Sequence, residues 1–257
     1  MSEQGPSFLG RLLHRMTLRR WRRTAHRARD MDPVSLRRAR YHARQLRTHI
    51  DDVIHVGDEK LALPVVGSNA FQKPFGTDWA WRPEAWSRKL PVPGISSVAT
   101  KSMLGGEVTM FHDCAFSELT LRQLRNHREE DLAAYGLRMD VFRFDGSFLS
   151  LVIDLPEGAS NGLKKDHIIR VEIIVECENP IEIFTRLNIK HGPNTEQIVR
   201  ELPMNETRAV VEFDLAYSAM NEKRVEKVWL DIIFEGPEMN QVTLRDLTFA
   251  RRLRAAI

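Results

Sequence analysis

From Val98 onward the chain alternates between apolar and polar positions. The stretch Lys227–Arg251, KVWLDIIFEGPEMNQVTLRDLTFAR, shows this most clearly. In its first run Val228, Leu230, Ile232 and Phe234 share one face, and Trp229, Asp231, Ile233 and Glu235 share the other. A period of two predicts a strand with one buried face. Gly236-Pro237 then turns the chain, so the two runs read as a core hairpin. In the second run the apolar parity switches between Leu244 and Leu247, which predicts a bulge near Arg245-Asp246.

The same alternation predicts the other strands. Gly106–His112, Leu119–Arg125, Leu137–Phe144 and Ser147–Leu155 come first, the last two separated by Asp145-Gly146, a two-residue hairpin signal. Ile168–Cys177 is the clearest, with Ile169, Val171, Ile173 and Val175 on one face and Arg170, Glu172 and Glu176 on the other. Residues 183–190, Glu196–Leu202 and Ala209–Tyr217 follow, the first pair joined by a turn at His191-Gly192-Pro193-Asn194. So many short strands without long intervening helices predict a mainly β fold, an antiparallel jelly-roll-like β-sandwich over residues 98–257.

The N-terminal pattern is helical. Leu9, Leu12, Leu13 and Met16 fall at helical spacing among arginines, with Phe8 and Trp21 as interfacial aromatics. Asp32-Pro33 reads as an N-cap with proline at the first helical position. Leu36, Ala39, Ala43, Leu46, Ile50 and Val53 then recur at alternating spacings of three and four, a narrow helix-pairing seam. Its expected seat is the β body or the first helix, ahead of an independent coiled coil. Residues 1–56 are thus a helical arm. Residues 57–97, rich in proline and glycine and carrying Trp79, Trp81 and Trp86, are a strap. Its indoles plug the edge of the core or, alternatively, offer a stacking platform for a planar ligand.

Charge adds an asymmetry. Residues 1–50 hold 13 arginines, no lysine and three acids, a net of +10, while the remainder holds 25 basic and 32 acidic side chains, a net of −7. An arm of this kind predicts an anionic partner, with Arg11, Arg15, Arg19, Arg20, Trp21, Arg22 and Arg23 as the contact residues. A solvated helix that packs its short apolar stripe on the body is the first reading, a membrane or other anionic surface the second, and nucleic acid or a transit peptide the third. No zinc spacing, RNA-binding signature or helix-turn-helix pattern supports nucleic acid. No run reaches the ~18 apolar residues of a membrane span, and the first residues lack the apolar core of a secretory signal. Two cysteines, Cys114 and Cys177, do not make a disulfide framework. The expected location is the cytoplasm, at the membrane periphery through the arm.

Candidate chemistry is sparse. His112-Asp113-Cys114 is the one cluster with a nucleophile beside a base, and it reads as a buried cysteine next to a turn-capping aspartate. No HxxxH, CxxC, GxGxxG or P-loop pattern occurs, so no catalytic residue, metal ligand or cofactor is assigned. More informative is a polar face with aromatics: Glu172, Phe184, Arg186, Asn188, Trp229 and Asp231 fall on the non-core parity of their strands. An aromatic ring for the apolar face of a sugar, with Asp, Asn and Arg for its hydroxyls, makes these the candidate ligand-binding residues. The alternative is a plain exposed sheet face, or one that seats the N-terminal helices.

The blocks FTRLNIKHG, VVEFDLAY, VWLDIIFEGP and VTLRDLTFARR resemble those of galactose-binding-like and carbohydrate-binding-module jelly rolls over about residues 95–254. The whole chain is similar to an uncharacterised bacterial family. The resemblance implies a sandwich that binds carbohydrate or protein, by fold analogy. The expectation is a non-catalytic module for a glycan or polysaccharide intermediate. The alternatives are a structural adaptor binding another protein and, third, an unrecognised enzyme. Oligomeric state stays open.

Overall fold

The computed structural model describes residues 8–61, 71–128, 130–203 and 206–254. It divides into two compact units, residues 1–61 and residues 62–257. The first unit is helical. Helix α1 spans Phe8–Arg27 and α2 spans Pro33–Leu61. Asp32 caps α2 as the sequence predicts: its Oδ1 accepts from the backbone amides of Val34 and Ser35 at 3.0 Å each, satisfying donors that the first turn leaves orphaned. Trp21, Thr24, Ala28, Met31, Ala39 and Ala43 are half-buried, and the rest of the described arm is exposed. Among the described residues no helix is long and apolar enough to cross a membrane.

The second unit is a two-sheet antiparallel sandwich. Its elements, in order, are β1 (Thr77–Trp81), α3 (Glu84–Ser87), β2 (Gly94–Ser96), β3 (Ser102–Leu104), β4 (Val108–His112), β5 (Leu119–Arg125), β6 (Tyr135–Val141) and β7 (Leu149–Asp154). They continue with α4 (Glu157–Ser160), β8 (His167–Cys177), β9 (Glu182–His191), β10 (Asn194–Glu201), β11 (Arg208–Asp214), β12 (Val225–Glu235) and β13 (Asn240–Leu253). One sheet runs β11-β8-β13-β6-β5-β2 with β1 also paired to β13; the other runs β10-β9-β12-β7-β4-β3. The core lies between them. Leu187, Ile189, Leu230 and Ile232 from one sheet and Val171, Ile173, Leu247 and Phe249 from the other are fully buried. The alternation read from the sequence is the alternation that builds this core.

Two predicted hairpins are not hairpins. β12 and β13 belong to different sheets, so Gly236, at φ 60°, carries the chain across the sandwich. β6 and β7 likewise lie in opposite sheets, and Asp145-Gly146 sits in the crossover. Asp113 holds that crossover: its Oδ1 accepts from the Ser147 amide at 2.7 Å and the Phe148 amide at 3.2 Å. A Cβ at Gly146 would stand 2.5 Å from Asp113 Oδ1, so the crossover requires glycine there. The predicted bulge is present, with the β13–β8 register shifting between Leu244 and Asp246. α2 runs on to Leu61, beyond the expected end of the arm, and the strap supplies β1, α3 and β2 to the sandwich. Strap residues 62–70 lie outside the described residues.

Candidate ligand-binding face

Strand register decides which candidate residues meet. In the β9–β12 ladder Phe184 faces Ile233, Arg186 faces Asp231, and Asn188 faces Trp229. β10 extends these rungs with Gln197 opposite Asn188 and Val199 opposite Arg186. β7 extends them on the other side with Asp154, Val152 and Ser150 opposite Trp229, Asp231 and Ile233. Five of the six candidate residues therefore stand together on the outer face of the six-stranded sheet. Glu172 does not. β8 is in the other sheet, where Glu172 accepts from Arg208 Nε at 2.7 Å and lies 3.4 Å from Arg170. It belongs to an ion ladder on that opposite outer face.

Asp231 and Asn188 face away from the core, yet both are buried. Asp231 Oδ2 receives Arg186 Nε at 2.8 Å, Arg186 Nη2 at 2.7 Å and Asn188 Nδ2 at 3.1 Å. Asn188 spends its other amide hydrogen on the Arg186 carbonyl at 3.0 Å, and its Oδ1 accepts from Gln197 Nε2 at 3.0 Å. A buried carboxylate is stable only when paired and hydrogen-bonded, and this chain of partners supplies both. The consequence is positional: Asp231 and Asn188 fix Arg186 and Gln197 rather than meeting solvent themselves.

The groups left on the surface of the face include Arg186, Gln197, Trp229, Phe184, Lys227 and the exposed Val199. Trp229 is half-buried with the Lys227 ammonium 5.8 Å from its ring centre, a cation–π distance. Among the described residues each cation of the face has a carboxylate: Arg186 has Asp231, Lys227 has Asp154 at 2.7 Å, and Lys190 has Glu226 at 2.9 Å. Phe111 on β4 pairs with Ser150 and adds a third half-buried ring, on the rung of Ile233 and Phe184. Gln197, Asp154 and Phe111 were not among the sequence candidates. Alternation marks them as outward-facing, but only strand order brings them to this face.

The His112-Asp113-Cys114 cluster is structural. β4 ends at His112, whose Nδ1 accepts from the Cys114 amide at 3.2 Å while Nε2 lies 2.8 Å from the Val98 carbonyl. Both ring nitrogens are committed, and burial pushes the Cys114 thiol up, away from the thiolate a nucleophile needs. Asp113, held below the usual carboxylate range first by the Ser147 hydroxyl, is the turn cap. The strap indoles go to the core. Trp86 is fully buried with Nε1 donating to the Leu244 carbonyl at 2.9 Å, and Trp81 lies against Phe249 at 5.5 Å between ring centres.

The arm candidates all lie on α1, a helix without an acidic residue. Arg15, Arg19, Arg20, Arg22 and Arg23 are exposed and Trp21 is half-buried; the side chain of Arg11 lies outside the described residues. Leu12, Leu13, Met16 and Leu18 are exposed beside them.

One family model matches residues 1–257, the whole chain. The chain belongs to that family, DUF6478, a family of unknown function. No curated protein matches it in sequence. Among solved structures this DUF6478 chain is weakly similar to carbohydrate-binding modules. One is the family 11 module from Clostridium thermocellum in complex with a mixed-linked tetrasaccharide, at 10% identity over 63% of this chain and 97% of that one, TM-score 0.39. Another is TmCBM61 in complex with β-1,4-galactotriose, at 12% identity over 57% and 88%, TM-score 0.30. The enzymatically active domain of bacteriophage CBA120 tailspike protein 4 is similar at 8% identity over 62% of this chain, TM-score 0.41; the match spans 21% of that protein.

Proposed function

We propose that this DUF6478 protein is a non-catalytic binding module. The outer face of its six-stranded sheet takes a neutral glycan, and its basic arm contacts an anionic surface. The observation that carries the glycan reading is the Trp229 ring on one face with Arg186, on the next rung, and Gln197, two strands along its own rung, both held in place by the buried Asp231–Asn188 pair. A ring with fixed donors on the same face matches a sugar, whose one face is apolar and whose edge is hydroxyls. Paired cations argue for a neutral ligand: no unneutralised positive charge among the described residues of the face awaits an acidic one. A polysaccharide intermediate fits the same chemistry.

A panel of neutral oligosaccharides on a glycan array, with calorimetric titration of the best binder, tests this. Arg186→Ala is expected to weaken binding at least tenfold, about 1.4 kcal/mol. Trp229→Ala should cost more, at least ~2 kcal/mol, as buried aromatic anchors do. Absence of binding to every sugar, or equal affinity in both variants, overturns the reading.

A further inference from the structure

The exposed seam of α2 has a definite shape. Leu36, Leu46, Ile50, Val53 and Ile54 are 40%, 37%, 47%, 73% and 53% exposed, although α1 is present in the same unit. Leu36, Ala39, Ala43, Leu46, Ile50 and Val53 line up along one side of five turns, and a soluble helix does not leave such a stripe open without an occupant. We infer that a second copy of this chain covers it, with the two α2 helices packed antiparallel about a two-fold axis between Arg44 and Gln45.

Size complementarity singles out that arrangement. About this axis Leu36 of one copy meets Val53 of the other, Ala39 meets Ile50, and Ala43 meets Leu46. Every small residue faces a large one, so each layer of the seam fills. A parallel pairing would stack Ala39 on Ala39 and Ala43 on Ala43. Two consecutive underfilled layers would leave a void that a close-packed interface does not tolerate.

Charge points the same way. The first half of α2 carries Arg37, Arg38, Arg40, Arg44 and Arg47 and no acid, whereas Asp51, Asp52, Asp58 and Glu59 all come after His49. Antiparallel pairing lays the basic end of one helix beside the acidic end of the other; parallel pairing sets the basic ends together. Arg47, which flanks the seam, is already neutralised by Asp51 at 3.1 Å. A closed two-fold contact of this kind also ends at the dimer.

Sedimentation velocity on the full chain over a dilution series tests the pairing. The expected result is a dimer that dissociates on dilution. Ile50→Arg should give a monomer with the tryptophan-fluorescence unfolding transition of the sandwich unchanged, since Ile50 belongs to the helical unit and not to the sandwich. Orientation is read by disulfide trapping in a Cys114→Ser/Cys177→Ser background. Ala43→Cys mixed with Leu46→Cys should cross-link more than Ala43→Cys alone. A monomer at all concentrations, an Ile50→Arg chain that sediments as wild type, or preferred Ala43–Ala43 cross-linking overturns the inference. So does a dimer whose mass persists in Ile50→Arg because another surface holds it.

Discussion

Asp246 shows how single residues carry unequal weight in this fold. It sits at the β13 bulge, buried, with Oδ1 accepting from Arg82 Nε at 2.9 Å and Oδ2 from Arg82 Nη2 at 2.8 Å. Burial pushes its carboxyl up, and the Arg82 charge and hydrogen bonds pull against that. In Arg82→Met the pull is lost and the carboxyl rises further. An acid raised on folding weakens the fold above its folded pKa and releases the penalty as pH falls through it. Breaking one side of a buried pair costs about 3–5 kcal/mol. Arg82→Met is therefore expected to lose stability of that order in urea unfolding at neutral pH, and clearly less toward pH ~4, the ordinary carboxylate range. A loss that does not change with pH would show that Asp246 is not the group left stranded. Sequence gave no hint of this pair. Asp246 was legible as part of a bulge, but its partner lies far back in the chain, and no local pattern encodes a contact of that span.

At the scale of elements, one amide side chain ties the irregular part of the strap, around α3, to the sandwich. Gln123 on β5 is buried; its Oε1 accepts from the Leu90 amide at 2.9 Å, and its Nε2 donates to the Ala85 carbonyl at 2.8 Å and the Arg88 carbonyl at 2.7 Å. An irregular segment has no ladder to satisfy its backbone, so a buried side chain must do it. Gln123→Leu strands those groups and is expected to cost about 1–3 kcal/mol, read as a lower urea midpoint with the slope unchanged. The loss should fall on the seating of Trp86, visible as a red shift of tryptophan emission. Strands were the legible part of this fold, since period two marks a face wherever one side meets the core. Leu119–Arg125 was read to the residue. Sheet membership was not legible: Asp145-Gly146 and Gly236-Pro237 have the composition of tight hairpin turns, and only the register of distant strands reveals that both cross the sandwich. The same limit put Glu172 among the ligand candidates. Its parity was right, its sheet was not.

The molecule as a whole is electrically lopsided, and that bears on the arm. A net of +10 over residues 1–50 stands against −7 over the rest. On α1 the exposed arginines lie beside exposed Leu12, Leu13, Met16 and Leu18. Arginines alone would fit any polyanion, but apolar side chains left in water gain nothing from a phosphate backbone. They gain about 25 cal/mol per Å² by entering the acyl boundary of a bilayer. The combination therefore favours acidic lipid over nucleic acid, with each arginine near the surface adding about 1 kcal/mol. The full chain is expected to co-sediment with vesicles containing phosphatidylserine and not with pure phosphatidylcholine vesicles. Raising salt should weaken binding, because screening shortens the reach of the charges, without abolishing it, because the apolar contact remains. Leu12→Ser/Leu13→Ser should remove the salt-resistant part, and reversing Arg19, Arg20, Arg22 and Arg23 to glutamate should remove the rest. Binding to a duplex oligonucleotide that is insensitive to the leucine changes, with no partition onto acidic vesicles, would assign the arm to nucleic acid instead.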